Sequence, residues 1–311
     1  MKAFILLLGC SAALILPTPS PWPASVGAVT SSHKAAAPAK TAERGRTKKK
    51  PKTAAGFGAK KPQKKPAHGT GHKAAAKLLE EHRGDIDAAQ AERFDAYMEK
   101  LRRNDPELFA DVARARRCDP DGPARGREKL LAMTWDVVAD YLPTETVDAS
   151  LDARLSRVAA FARGRCLDVG CGDGSIVPHL RERTYRGVDL SGRMVDLARK
   201  HHPDAQFAKA GFFEFLARES TAWDTILFVA ALQFFPDVGA VLSAASHLAP
   251  GGRVVIAHAR GAAFVREERH GNPAVVEALP AVEDLLATGE FGLAHAGVDL
   301  DDFYLVVLER T

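Results

Sequence analysis

Three glycines at alternate positions, Gly170, Gly172 and Gly174, follow a short apolar run in Cys166-Leu167-Asp168-Val169-Gly170-Cys171-Gly172-Asp173-Gly174-Ser175. Glycine tolerates positive φ and lets a ligand approach the backbone, so a strand that ends in such a turn is a candidate nucleotide site. The spacing narrows the ligand. A dinucleotide fingerprint needs Gly-x-Gly-x-x-Gly, but Ser175 and Val177 stand at the two places where its third glycine would fall. A phosphate loop needs Gly-Lys-Ser/Thr, and no lysine follows. A second carboxylate, Asp189, lies fifteen residues past Gly174 at the end of another apolar run.

The elements that must position these residues are legible from apolar periodicity. Strands are expected at 165–169, 185–190, 205–210, 223–229, 252–259, 293–300 and 302–310. Helices are expected at 176–182, 192–201, 213–219 and 238–248, between the first five strands. Strand–helix alternation implies a parallel sheet with helices on both faces. Too few residues separate the last two strands for a crossover, so they should form an antiparallel hairpin. The fold class is α/β: a seven-stranded, mostly parallel sheet flanked by helices, preceded by a helical extension. That extension, 74–126, has helical periodicity broken at Asn104-Asp105-Pro106-Glu107, which reads as a cap with proline in the first turn. Further helices are expected over REKLLAMTWDVVADYLP, closed by Pro143, and from about Ser150 to Ala162.

This pattern over roughly Glu128 to Thr311 resembles the class I S-adenosylmethionine (SAM) methyltransferases, with 127–311 as the domain and SAM as cofactor. The glycine turn, Asp189, WDTILFVAALQFFPD and LAPGGRVVI appear in that family's order. The resemblance implies that Asp168, Gly170, Gly172, Gly174, Asp189, Leu190, Gly211, Phe212 and Val229 surround the donor. One position departs from the pattern. The family commonly has an Asp after the third strand that contacts the adenine amino group, and Gly211 stands there. Either the Phe212 N–H and apolar packing hold the base, or Glu214 reaches round; one lost hydrogen bond of this kind costs about 1 kcal/mol.

Methyl transfer from a sulfonium is an in-line displacement, and a general base is needed only for a weak nucleophile. Gln233 and His258, at the ends of the fourth and fifth strands, are the candidate catalytic residues. The charge run HARGAAFVREERHGNP reads as a solvated helix face. Trp135 and Tyr141 either line an acceptor pocket or pack in a core. No Asn/Asp-Pro-Pro-Tyr follows the fourth strand, and Cys118 lies outside the core, which demotes nucleobase acceptors. The short Ala230 and Ala231 fit a small-molecule methyltransferase of the ubiquinone-biosynthesis type, which the core resembles. The expected acceptor is an O, N or C nucleophile of a small molecule. The alternatives are a protein or RNA methyltransferase and a non-catalytic binding module that retains the fold. No His/Cys cluster suggests a metal.

The net charge of +4 divides unevenly. Residues 1–73 hold twelve lysines, two arginines and one acidic residue; the body has 29 basic and 38 acidic residues, which argues against a nucleic-acid partner. Residues 1–28 have the charged start and short apolar run of a secretory signal, too short for a permanent membrane span. Residues 29–73, rich in Lys, Ala and Pro, read as a disordered, transit-like segment. The two-part leader resembles those of plastid proteins in algae with complex plastids; secretion to an endomembrane lumen or beyond is the alternative.

Overall fold

The computed structural model describes residues 83–117, 119, 121–142, 149–180, 183–272, 274–275, 279–299 and 302–311. The leader expectations for 1–28 and 29–73, and Cys118, lie outside the described residues. Seven strands, β1 (Arg165–Val169), β2 (Thr184–Asp189), β3 (Gln206–Lys209), β4 (Trp223–Val229), β5 (Leu248–His258), β6 (Phe291–Asp299) and β7 (Phe303–Arg310), form one sheet in the order β3-β2-β1-β4-β5-β7-β6. The first five strands are parallel, and β7 enters antiparallel between β5 and β6. The expected terminal hairpin therefore forms with its second strand on the inside. Strand order reverses between β1 and β4, so the loops after these two strands diverge and leave a crevice at the carboxyl edge.

Side chains alternate between two buried layers, as a sheet covered on both faces requires. Ile226 and Phe228 of β4, Val254 and Ile256 of β5, and Tyr304, Val306 and Leu308 of β7 enter one layer. There they meet helices α6 (Phe212–Arg218), α7 (Gly239–Ser246) and α9 (Val282–Leu286). Leu227, Val255, Ala257, Leu305 and Val307 enter the other, against α4 (Ala149–Ala159) and α5 (Gly192–His201).

The helix expected at 176–182 is a single 3-10 turn, Val177–His179. Its apolar pattern is helical, but the glycine turn takes up most of the connection to β2, and Pro178 lacks the N–H that a further turn would use. β5 begins at Leu248 rather than at 252, absorbing LAPGG through an irregularity opposite Trp223 and Thr225. That strand start also ends α7 two residues before the expected helix end. The charge run after β5 forms α8 (Gly261–Gly271).

Within the extension, α1 (Arg83–Asn104) breaks at Asp105, whose carboxylate accepts the Leu108 N–H at 2.9 Å and caps α2 (Pro106–Arg116). Helix α3 (Ala124–Ala139) starts before the expected domain boundary at 127. Its Leu130, Met133 and Val137 form a small core with Phe94, Met98 and Val112 of α1 and α2. At Gly126 a Cβ would lie 2.5 Å from the Asp111 carbonyl, so glycine sets how closely α2 and α3 approach. The far end of α3 is tied to the sheet. Asp136 accepts the Ser191 hydroxyl at 2.6 Å and the Arg193 N–H at 3.1 Å, and Asp140 pairs with Arg193 at 2.5 Å.

Candidate active site

The crevice at the strand-order reversal opens into a cavity of about 670 Å³. Gly170, Gly172 and Gly174 all have positive φ, at 68°, 53° and 81°. Their surroundings differ. A Cβ on Gly170 would lie 2.8 Å from Ala231, and one on Gly174 would meet His202 and Phe207. Nothing lies within 4 Å of a Cβ on Gly172. Gly170 and Gly174 thus permit packing, whereas Gly172 faces open space. Gly174 is also the single expected donor-site residue that does not line the cavity.

Asp189 links the turn to β2. Its carboxylate accepts the Gly172 N–H at 3.0 Å and the Ser191 N–H at 2.8 Å. Burial pushes the group up to about 6, against these two backbone donors. Each oxygen retains a lone pair for a further donor from the cavity. Asp168 is more deeply placed, at 2% exposure. It accepts the Tyr185 hydroxyl at 2.8 Å through Oδ2, while its Oδ1 is buried and has no partner. Burial raises it to about 7; the Tyr185 hydrogen bond opposes the rise and the Asp189 charge adds to it. An orphaned buried carboxylate oxygen at a cavity wall fits a cationic or N–H donor on a ligand.

The opposite wall begins at Ala230, the one non-glycine among the described residues with positive φ, at 53°. Its N–H is held by the Ala257 carbonyl at 2.8 Å, and its own carbonyl accepts the Gln233 amide at 2.9 Å. Strain of this kind, fixed by flanking hydrogen bonds, is found at functional turns. Gln233, His258 and Glu268 cluster beyond it, all buried and all lining the cavity. The His258 Nδ1 accepts the Arg260 N–H at 3.3 Å, which leaves the ring proton on Nε2. Burial and the Arg260 charge pull His258 down to about 3, so the imidazole is neutral and a poor proton acceptor. Burial pushes Glu268 up to about 7, with Gln233 and Arg260 opposing, and its Oε2 has no partner.

The structure brings Asp168, Gly170, Gly172, Asp189, Leu190, Gly211, Phe212, Val229, Gln233 and His258 to one cavity. Trp135 also lines it, edge-on to Phe234 at 5.8 Å, whereas Tyr141 packs in the helical core. Two expectations are corrected. The charge run is not simply a solvated face, because Val265 and Glu268 of α8 are buried. Glu214 does not reach round to the cavity; it is exposed and pairs with Arg218 at 2.8 Å, one helical turn away. The sequence reading also missed Glu128 of α3, which lines the cavity. The signal was present in α3: Ala124, Arg127, Glu128, Leu131 and Trp135 share one face, opposite the face built into the helical core.

Residues 144–278 match a family model described as a methyltransferase domain. That match spans less than half of the chain and shows a similarity to methyltransferase domains. The seven-stranded, mostly parallel sheet with its antiparallel C-terminal strands is the α/β fold expected from the sequence. The chain is 30% identical to the ubiquinone biosynthesis O-methyltransferase of Paracidovorax citrulli over 129 residues, 39% of this chain and 54% of that protein. It is 27% identical to the enzyme of that name from Xylella fastidiosa strain 9a5c over 193 residues, 56% of this chain and 78% of that protein. It thus spans about half the length of the first of these relatives. The crystal structure of magnesium protoporphyrin IX methyltransferase from Synechocystis PCC 6803 with bound SAH is similar at 16% identity and a TM-score of 0.46. That similarity covers 60% of this chain and all of that one.

Proposed function

We propose that the protein is a SAM-dependent methyltransferase acting on a nucleophile of a small molecule. One observation carries the reading. Asp189, braced by the N–H groups of Gly172 and Ser191, lines the same cavity as Asp168, whose buried Oδ1 has no partner. The first matches the paired hydroxyls of a ribose, and the second matches the ammonium group of an amino acid. SAM carries both, together with no pyrophosphate, which agrees with a turn that lacks the dinucleotide spacing. When bound, SAM supplies a methyl group on a sulfonium that needs no further activation.

The residues across the cavity handle the acceptor. Glu268 is the candidate base: its carboxylate, made more basic by the burial that raises the group to about 7, would take the acceptor's proton. His258 holds its Nε2 proton and so donates rather than accepts. The relatives named as O-methyltransferases support an oxygen acceptor. The apolar wall of Trp135, Phe234 and Phe264 suits a small molecule with an apolar body. No helix among the described residues is long and apolar enough to cross a membrane.

Isothermal titration of the full chain with S-adenosylhomocysteine should show saturable binding, and labelled SAM offered with a metabolite extract should yield a labelled small molecule. Absence of binding at millimolar ligand would sink the donor assignment. Label found only in protein or RNA would sink the acceptor class. Delivery to a plastid by residues 1–73 is part of the proposal, supported by their charge and apolar start. A fluorescent fusion of those residues that accumulated outside plastids would overturn it.

A further inference from the structure

Sheet order maps a nucleoside ligand across the crevice. On the SAM reading, the reactive end would lie where strand order reverses, between β1 and β4, and the ribose at Asp189 on β2. The next strand outward is β3, whose Lys209 is in register with Asp189, and the Ala210 N–H donates to the Asp189 carbonyl at 3.0 Å. The base would then lie over the end of β3, where Leu190, Ala210, Gly211 and Phe212 line the cavity. These side chains are apolar or absent, and cannot read the edge of a base by hydrogen bonding.

A carboxylate reaches this place from a different element. A Cβ on Gly211 would lie 3.6 Å from Leu190 Cδ2 and 3.7 Å from Glu128 Oε1. Glu128 thus stands against the open face of Gly211, in the space that a side chain at 211 would enter. It is delivered by α3, which Asp136 and Asp140 pin to the Ser191–Arg193 corner immediately after β2. We infer that Glu128 accepts a hydrogen bond from the exocyclic amino group of the donor's adenine and so makes the site selective for adenine over a 6-oxo purine. The inference rests on the SAM reading. A carboxylate only accepts hydrogen bonds, so it pairs with an amino group and opposes a carbonyl oxygen. Partial burial raises the group above the usual carboxylate range, with the Glu214 charge adding, and an N–H donor from the ligand would offset that cost.

The test is titration of the full chain with S-adenosylhomocysteine and with S-inosylhomocysteine, which has a carbonyl in place of the amino group. The wild type should prefer the adenine ligand. Glu128→Ala should weaken that ligand about tenfold, the equivalent of one hydrogen bond to a charged group, and leave the inosine ligand unchanged or tighter. Glu128→Gln, which offers both a donor and an acceptor, should narrow the preference. Gly211→Asp should weaken binding in the wild type, where it sets two carboxylates together, yet restore it in Glu128→Ala. Equal weakening of both ligands by Glu128→Ala, or no effect on either, would overturn the inference and leave the SAM reading intact. A wild type that binds neither ligand would overturn both.

Discussion

Replacing Asp168 by Asn should make the ligand-free protein more stable and its donor site worse. Asp168 is raised from 3.8 to about 7 chiefly by burial. The folded state keeps this proton until about pH 7, whereas the unfolded chain releases it near about pH 3.9. The stability contributed by the protonated form is therefore complete below about pH 4 and is lost as pH rises through about 7. The loss amounts to roughly 4 kcal/mol, since one decade in the proton equilibrium is worth about 1.4 kcal/mol. Asn has the same shape, never ionises and can still accept the Tyr185 hydroxyl through its carbonyl oxygen. Its unpaired amide and the weaker Tyr185 bond offset about half of the gain, so the net effect at pH 8 is about 2 kcal/mol. In thermal melts that is an increase of about 4 to 8 °C. The difference should nearly vanish at about pH 5.5, because about half of the wild-type loss develops between there and pH 7. The same variant should bind S-adenosylhomocysteine at least about tenfold more weakly, because a neutral amide replaces the acceptor for its ammonium group. A stability difference that is the same at both pH values would refute the burial argument. Unchanged affinity would remove Asp168 Oδ1 from the ligand site.

On the SAM reading, Asp189→Ala removes the acceptor for two ribose hydroxyls and should cost about 30- to 100-fold in S-adenosylhomocysteine affinity by titration; less than about threefold would take the residue out of the site. Gly126→Ala forces a methyl group onto the Asp111 backbone and should lower stability by about 1 to 3 kcal/mol in urea melts. It should also weaken ligand binding through α3, and a variant normal in both respects would show that the two helices separate at no cost. Glu268→Gln should leave donor binding unchanged while lowering methyl transfer by about 100-fold or more. In the wild type the rate should rise with pH through about 7, as Glu268 loses its proton. The variant should lose that limb, and a variant that retains it would assign the base elsewhere.

What the sequence disclosed and what it hid divide by the range of the interaction. The glycine spacing, the short apolar runs of β4, β5 and β7 and the Asp105 cap are local patterns, and each was legible. Asp189 was legible because strand length fixes it at a sheet edge. The turn at 176–182 was misread because its apolar spacing suits a helix, while the room left by the glycine turn does not. Glu268 was hidden for a different reason. A glutamate among Arg266, Glu267 and Arg269 looks like one more solvated charge, and its burial depends on α8 folding back over the crevice.

Glu128 was hidden most completely, because its place depends on two separate dockings of α3. One face of that helix completes a core with α1 and α2, and its far end is held by Asp136 and Asp140 at the corner after β2. The face left over, Glu128 with Leu131 and Trp135, closes the cavity above the strand ends. Helix α3, braced by α1 and α2, is therefore one wall of the candidate site. Ligand affinity and the docking of α1–α3 must then be linked: whatever loosens the helices weakens the ligand, and a bound ligand must tighten the helices by the same free energy. Hydrogen exchange tests this without knowledge of the acceptor. Amides of α2 and α3 that pack away from the cavity should gain protection on addition of S-adenosylhomocysteine, and they should gain less in Glu128→Ala. Protection confined to the glycine turn and the loop after β4 would show that the wall stands independently of the ligand.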